Sequence, residues 1–338
     1  MRELVWIRRL ALFGAILCFG VVVLGGYTRL SNSGLGCPDW PGCFGHIAPT
    51  GSAEHYASDA DVRKAWVEMI HRYLASTLGL LIVVMAALAI RARRVPGVSV
   101  GFALVLLVLV VLQGLLGMLT VTWLLKPLIV TAHLVGGLTT FALLLWLWLS
   151  KRAEDRPVNG RSVLAGNRIV EGGSRARLWA GLALAALAVQ VALGGWTSSN
   201  YAAVACPDVP RCQNQWIPKA DYKDAFIMWR GLGINYAGGV LDHPARVAIH
   251  FTHRVGAVVA GTLLLIAAFF SFRGLGAGPR WAGLAVLAAL GAQVFIGVFM
   301  VLRAFPLELA AAHNAGAALL VGATVLLNRK LRPISDFR

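Results

Sequence analysis

The chain has 338 residues, of which 58% are hydrophobic and 14% charged, with a formal net charge of +16. A water-soluble domain of this length does not need so much apolar sequence, so the composition points to a protein that crosses a membrane several times. Nucleic-acid binding is excluded as the reason for the positive charge, because no basic patch falls on a soluble-type domain.

Eight apolar runs, near 10–28, 68–90, 99–122, 127–150, 178–198, 246–271, 281–302 and 307–328, can each cross the roughly 30 Å hydrocarbon layer, which takes about 20 residues. Lipid offers the backbone no hydrogen-bond partner, so these runs are expected to be helices. The first has no small-residue cleavage site and leads straight into Gly25-Gly26-Tyr27-Thr28, which reads as a retained helix. Long loops, about 29–67 and 199–245, follow the first and fifth runs. A polar, Gly-rich linker near 151–177 contains Asn159-Gly160-Arg161 and Glu171-Gly172-Gly173-Ser174 and separates the two halves.

With both termini placed in the cytoplasm, nineteen of the 31 Lys and Arg fall in cytoplasmic segments and nine in external ones. The cytoplasmic set includes Arg8, Arg9, Arg91, Arg93, Arg94, Lys151, Arg152, Arg175, Arg177, Arg329 and Lys330, a positive-inside bias that sets the orientation. No Arg/Ser-rich transit segment precedes the first run, which favours a bacterial inner membrane with the long loops outside.

The two halves repeat one pattern. Gly25-Gly26-Tyr27-Thr28 is followed by Cys37-Pro-Asp-Trp-Pro-Gly-Cys43; Gly194-Gly195-Trp196-Thr197 is followed, at the same offset, by Cys206-Pro-Asp-Val-Pro-Arg-Cys212. Each copy then carries a His-Arg pair, His71-Arg72 and His253-Arg254, and a further histidine about sixty residues on, His133 and His313. Four helices per copy is an even number, so both copies enter the membrane from the same side. The expected fold is an all-α membrane protein: two parallel-repeat four-helix bundles, 1–150 and 178–338, around a pseudo-twofold axis along the membrane normal.

A Cys-x5-Cys pair in an external loop most simply forms a disulfide, and the intervening prolines and aspartate bend the chain for closure. A loop staple and a redox-active or site-capping bridge both fit. Zinc does not, because nothing completes a set of four ligands at finger-like spacing, His46 near Cys43 notwithstanding. Cys18, inside the first run, reads as a small buried apolar residue.

His71, His133, His253 and His313 lie near the external ends of the second, fourth, sixth and eighth runs, so the two in each half share a depth. Paired imidazoles on neighbouring helices can clamp a haem iron or another metal from two sides. Gly136-Gly137, Ala310-Ala311-Ala312 and Gly316 suit close approach of a flat group, and suit ordinary helix packing equally. Glu68 shares a helical face with His71; the second half has His250 at that place. A carboxylate there is costly unless interfacial or functional, so chemistry is expected in the first half and a supporting group in the second. Pairing of Glu68 with Arg72 at i, i+4 is the plainer alternative. Arg72 and Arg254 are candidate partners for anionic propionates, with snorkelling to the interface as their alternative; Arg29, Arg246 and Arg303 share that ambiguity. Glu308 reads as a helix-start residue, and His55 and His243 as loop residues.

The run GGYTRLSNSGLGCPDWPGC (25–43), with EMIHR (68–72), TAHLVGG (131–137), FTHR (251–254) and AAHNAGA (311–317) on eight helices, resembles the haem A synthase family over nearly the whole chain. The resemblance implies oxidation of the C8 methyl of haem O to a formyl group, through hydroxylated intermediates, for cytochrome oxidase biogenesis. It implies that His71 and His133 hold the substrate haem, that Glu68 is catalytic, and that His253 and His313 ligate a resident haem b. It implies a Cys37–Cys43 disulfide and leaves Cys206–Cys212 less defined, since that pair is not found in every member. Haem O synthase and an electron acceptor of unspecified identity are the partners it suggests, with self-association left open. A di-haem electron-transfer cytochrome and a haem transporter are the rival readings.

Overall fold

In the computed structural model the described residues are 2–49, 56, 58–150, 166–273 and 276–332, with backbone alone for 166–172. His55 and the expected linker from 151 to 165 lie outside them. Eight long helices are present: α1 (Arg2–Leu30), α2 (Asp59–Arg91), α3 (Val100–Thr122), α4 (Pro127–Leu149), α5 (Gly166–Ser199), α7 (His243–Ser271), α8 (Ala277–Leu302) and α9 (Leu307–Leu331). A four-residue helix, α6 (Tyr222–Ala225), and a 3-10 turn at Ala203–Ala205 lie in the second long loop. Among the described residues all eight long helices are apolar and long enough to cross a membrane, and the chain is all-helical apart from two isolated bridges. Outward residues such as Val108, Val258 and Phe295 are exposed, as lipid-facing side chains are.

Three helices start two turns or more before hydropathy suggests, and α7 and α8 start about one turn early. α2 begins at Asp59, where Ser58 caps it by accepting the Asp61 N–H, and two polar turns precede the apolar run. α1 begins at Arg2, and α5 at Gly166, inside the stretch expected to be linker. Hydropathy registers only the part of a helix that meets lipid, so polar extensions escape it.

In the first half α1 packs on α2 and α4, α2 on α3, and α3 on α4; in the second α5 packs on α7 and α9, α7 on α8, and α8 on α9. Across the halves α4 meets α5 and α9, and α1 meets α9. Asn314 Nδ2 donates to the Val22 carbonyl at 3.2 Å, and the Gly26 backbone passes directly against the Asn314 side chain. At the matching place Gly195 lies against Thr131 and Leu134 of α4. A larger residue at Gly26 would have to displace the Asn314 amide, and one at Gly195 the Thr131 and Leu134 side chains.

The second long loop also ties the halves together. Buried Lys126, at the start of α4, donates to the Gly231 carbonyl and lies 3.3 Å from the Trp229 ring centre. Trp229 meets Trp123 edge to face, and the Tyr236 N–H donates to the Leu124 carbonyl at 3.0 Å.

The main apolar core, including Ile7, Ala11, Met85, Leu144, Ala176 and Val325, lies at the helix ends away from the cysteine loops. Nearer the loops α3 and α8 are exposed along much of their length. α3 has no buried residue between Leu106 and Val121, and α8 has none between Val286 and Val301. The four histidines sit at this level.

Candidate functional site

His71 on α2 and His133 on α4 face each other with ring centres 6.4 Å apart, nearly edge to face at 84°. His253 and His313 occupy the matching positions on α7 and α9. Each ring turns its Cε1 edge toward a glycine on a neighbouring helix. A methyl carbon built on Gly25 would lie 2.7 Å from His71 Cε1, on Gly194 3.2 Å from His253 Cε1, on Gly297 2.9 Å from His313 Cε1, and on Gly117 3.5 Å from His133 Cε1. Any side chain on the first three would push the imidazole away, so the glycines set where the rings stand.

Three glutamines, not singled out by the sequence reading, complete this arrangement. Each stands four residues before one of those glycines: Gln113 before Gly117, Gln190 before Gly194, Gln293 before Gly297. Each side chain sits tightly over a glycine three residues after a histidine: Gly136, Gly256 and Gly316, respectively. Gln190 Nε2 lies 3.0 Å from His253 Nδ1, and Gln293 Nε2 lies 3.2 Å from His313 Nε2. The recurring Gln-x3-Gly opposite His-x2-Gly was visible in the sequence. The fourth histidine departs from it, with Val21 at the glutamine position and Leu74 at the glycine position.

Glu68 is buried at 4% exposure, one turn before His71. Its Oε1 meets Arg72 Nη2 at 2.5 Å, and its Oε2 accepts the Cys37 N–H at 3.0 Å. Arg72 Nη1 also donates to the carbonyls of Asp39 at 2.9 Å and Gly42 at 2.5 Å. In the second half Arg254 Nε donates to His250 Nε2 at 3.2 Å, and its other nitrogens donate to the carbonyls of Cys206, Asp208 and Arg211 at 2.7–2.8 Å. Both arginines therefore fasten a cysteine loop to the helix that bears the histidine, and the i, i+4 pairing of Glu68 with Arg72 is present. His250 is buried, with Nδ1 unpartnered.

The cysteine loops match closely. Cys37 and Cys43 sulfurs are 2.04 Å apart and Cys206 and Cys212 2.01 Å apart, both bonded. Asp39 accepts the N–H groups of Phe44 and Gly45 at 2.6 and 2.7 Å; Asp208 accepts those of Gln213 and Asn214 at 2.7 and 2.8 Å. Partial burial works to raise the Asp39 carboxyl, but those N–H donors and the Arg72 charge outweigh it and hold it below the usual range. Asp208 is held low in the same way, with Arg254 as the charge. A depressed carboxylate contributes stability that is lost as pH falls through its folded value, so both turns persist at neutral pH and loosen only below the ordinary Asp range of about 3.9. The first loop lies so close to α2 that a Cβ on Gly36 would sit 2.7 Å from the Ala65 nitrogen.

The remaining candidates are dispersed. Cys18 is buried, His46 closes the first loop through backbone bonds to Cys43, and His243 meets Gln213. Arg29 donates to the Ser198 carbonyl and stacks on Tyr201, Arg303 lies over Phe299, and Glu308 is in the first turn of α9.

The paired rings fit a metalloporphyrin better than a bare metal. Two imidazoles on opposite sides of one metal, each about 2.0–2.1 Å from it through a ring nitrogen, would have centres roughly 6.3 Å apart, close to the spacing of His71 and His133. Among the described residues no three His, Cys, Asp or Glu converge as a metal cage, whereas a macrocycle brings its own equatorial donors. The Nδ1 atoms of His71, His133 and His313 are buried without partners.

The described residues thus define an all-helical protein with eight helices able to cross a membrane, two histidine pairs at matching positions, and a carboxylate, Glu68, buried beside the first. Residues 8–325 match the cytochrome oxidase assembly protein family, and the chain belongs to it. It is 40% identical over 337 residues to the haem A synthase of Shewanella oneidensis, covering 96% of each chain. It is 28% identical over 349 residues to that of Caulobacter vibrioides, covering 94% of each, and 28% identical over 264 residues to that of Halalkalibacterium halodurans, covering 77% of this chain and 74% of the relative.

Proposed function

We propose that the protein is a haem A synthase of a bacterial plasma membrane, oxidising the C8 methyl of haem O to a formyl group through hydroxylated intermediates. The observation that carries this reading is the asymmetry between two otherwise matching histidine sites: Glu68 stands beside the first pair and His250 beside the second. That asymmetry argues against a di-haem electron carrier, which predicts like sites in both halves, although Glu68 also serves to hold Arg72 and the first cysteine loop.

Residues 1–150 form the substrate half, where His71 and His133 hold haem O, and residues 178–338 the cofactor half, where His253 and His313 hold haem b. The repeated packing of α1–α4 and of α5, α7, α8 and α9 supports two parallel bundles related by an axis along the membrane normal. The distribution of basic residues supports cytoplasmic termini and external cysteine loops. A bound haem b supplies one-electron redox chemistry to the site. Glu68 holds or moves a proton at its carboxylate oxygens, which Arg72 and the Cys37 N–H keep beside the substrate half. Arg72 and Arg254 stand one residue from a ligand, where they are candidate propionate partners as well as loop clamps.

The test is haem extraction and mass identification from membranes of a host that makes haem O, with and without this protein. Haem A or its hydroxylated precursor is expected only with it; unchanged haem O alongside bound haem b would favour the electron carrier. Gly194→Leu is expected to displace the His253 ring and lower bound haem b by tenfold or more, at a folding cost of about 1–3 kcal/mol from overpacking. A pyridine haemochrome assay on the purified variant checks it, and wild-type haem b content would remove the glycine from the argument.

A further inference from the structure

We propose that Asn314, which belongs to the second half, is a positioning residue for His71 in the first, acting on it through α1. This rests on the haem A synthase reading and goes beyond it.

Each half carries a Gly-Gly pair whose two members face different halves. Gly25 faces the His71 ring, and Gly26 faces Asn314, the residue after His313. Gly194 faces the His253 ring, and Gly195 faces Thr131 and Leu134, which lie on either side of His133 in the chain. Adjacent residues of one helix therefore touch a ligand of their own half and the neighbour of a ligand of the other. Glycine is required at both places on α1: a Cβ on Gly25 would lie 2.7 Å from His71 Cε1, and one on Gly26 would collide with the Asn314 amide.

The two crossings differ in one respect. Asn314 Nδ2 donates to the Val22 carbonyl at 3.2 Å, whereas Leu134, which follows His133 as Asn314 follows His313, has no side-chain donor. A carbonyl oxygen has two lone pairs, so that of Val22 can serve the α1 ladder and Asn314 together. Val22 stands four residues before Gly26, so the bond grips the turn of α1 that contains Gly25, the seat of the His71 ring. Small residues let membrane helices approach closely, and hydrogen bonds between such helices hold them in register. The first half must present the same ligand geometry each time one haem leaves and the next arrives. The second half keeps its haem through turnover, so a seat held from that side persists while the first site is empty.

The test isolates each half in the full chain. His253→Ala/His313→Ala leaves only the first histidine pair, and His71→Ala/His133→Ala only the second. Each protein is titrated with iron protoporphyrin IX, followed by the Soret band. Asn314→Leu keeps the branching of the side chain and removes the donor. It is expected to weaken binding by the first half about three- to tenfold, the worth of one such hydrogen bond, and to shift the electron paramagnetic resonance signal of its low-spin ferric haem. The second half, although it contains Asn314, should change by less than about twofold. Gly26→Ala, which displaces the amide from the opposite side, should weaken the first half likewise. Asn314→Ala, checked by circular dichroism, serves where Asn314→Leu does not fold. An unchanged first half, or a change as large in the second, would overturn the proposal with haem binding intact. Failure of either half to bind haem before Asn314 is altered would instead overturn the haem reading, and this inference with it.

Discussion

Replacing Glu68 with glutamine is expected to lower haem A formation by about 10²–10⁴-fold, the usual contribution of a positioned acid or base, with haem still bound in both halves. Glutamine preserves the shape of the side chain and can still accept the Cys37 N–H. It carries no charge for Arg72 and cannot give or take a proton. Arg72 keeps its loop carbonyls, so the folding cost should fall below the roughly 3–5 kcal/mol of stranding one partner of a buried ion pair. Glu68→His is the sharper control, because it installs the second half's own arrangement, in which His250 accepts from Arg254. That variant should fold and bind haem without converting it. Haem A yield, haem content and thermal unfolding together separate chemistry from scaffolding. Normal haem A from Glu68→Gln at unchanged haem content would remove Glu68 from the mechanism.

The duplication made much of this legible before any coordinates. A Cys-x5-Cys pair and two histidines at matching offsets place His71 opposite His133 once the apolar runs are read as packed helices. The helix starts were not legible, because Ser58 capping and the polar first turns of α2 leave no mark on hydropathy. The loop contacts of Arg72 and Arg254 were hidden for another reason: an arginine following a buried histidine looks the same whether it meets a propionate or a carbonyl, and only the fold of the cysteine loop brings Asp39 and Gly42 within reach. The glutamines were legible and passed over. One Gln in an apolar helix looks incidental, and its meaning emerges only when Gly117, Gly194 and Gly297 are counted back by four residues. The contact of Lys126 with Trp229 joins residues a hundred positions apart and could come only from tertiary structure.

The loss expected from breaking the Cys37–Cys43 bridge follows from where that loop is fastened. Closing so short a loop stabilises the fold by about 2–3 kcal/mol in the chain-entropy account. The functional effect should be larger, because the bridge holds the Cys37 N–H on Glu68 and the carbonyls of Asp39 and Gly42 on Arg72. Without it the carboxylate loses a fixed donor, and water gains access to a group that is buried at 4% exposure. Cys37→Ser/Cys43→Ser is therefore expected to cut haem A yield by tenfold or more while haem b in the second half is retained. Cys206→Ser/Cys212→Ser releases a loop held by Arg254 and touching no carboxylate in the site. Its loss should appear first as weaker haem b retention, with haem A falling only in proportion. Haem A yield and haem b content, measured side by side on the two double variants, decide the matter. The opposite pattern, with haem A spared by the first pair and abolished by the second at full haem b content, would mean that Glu68 does not depend on its loop.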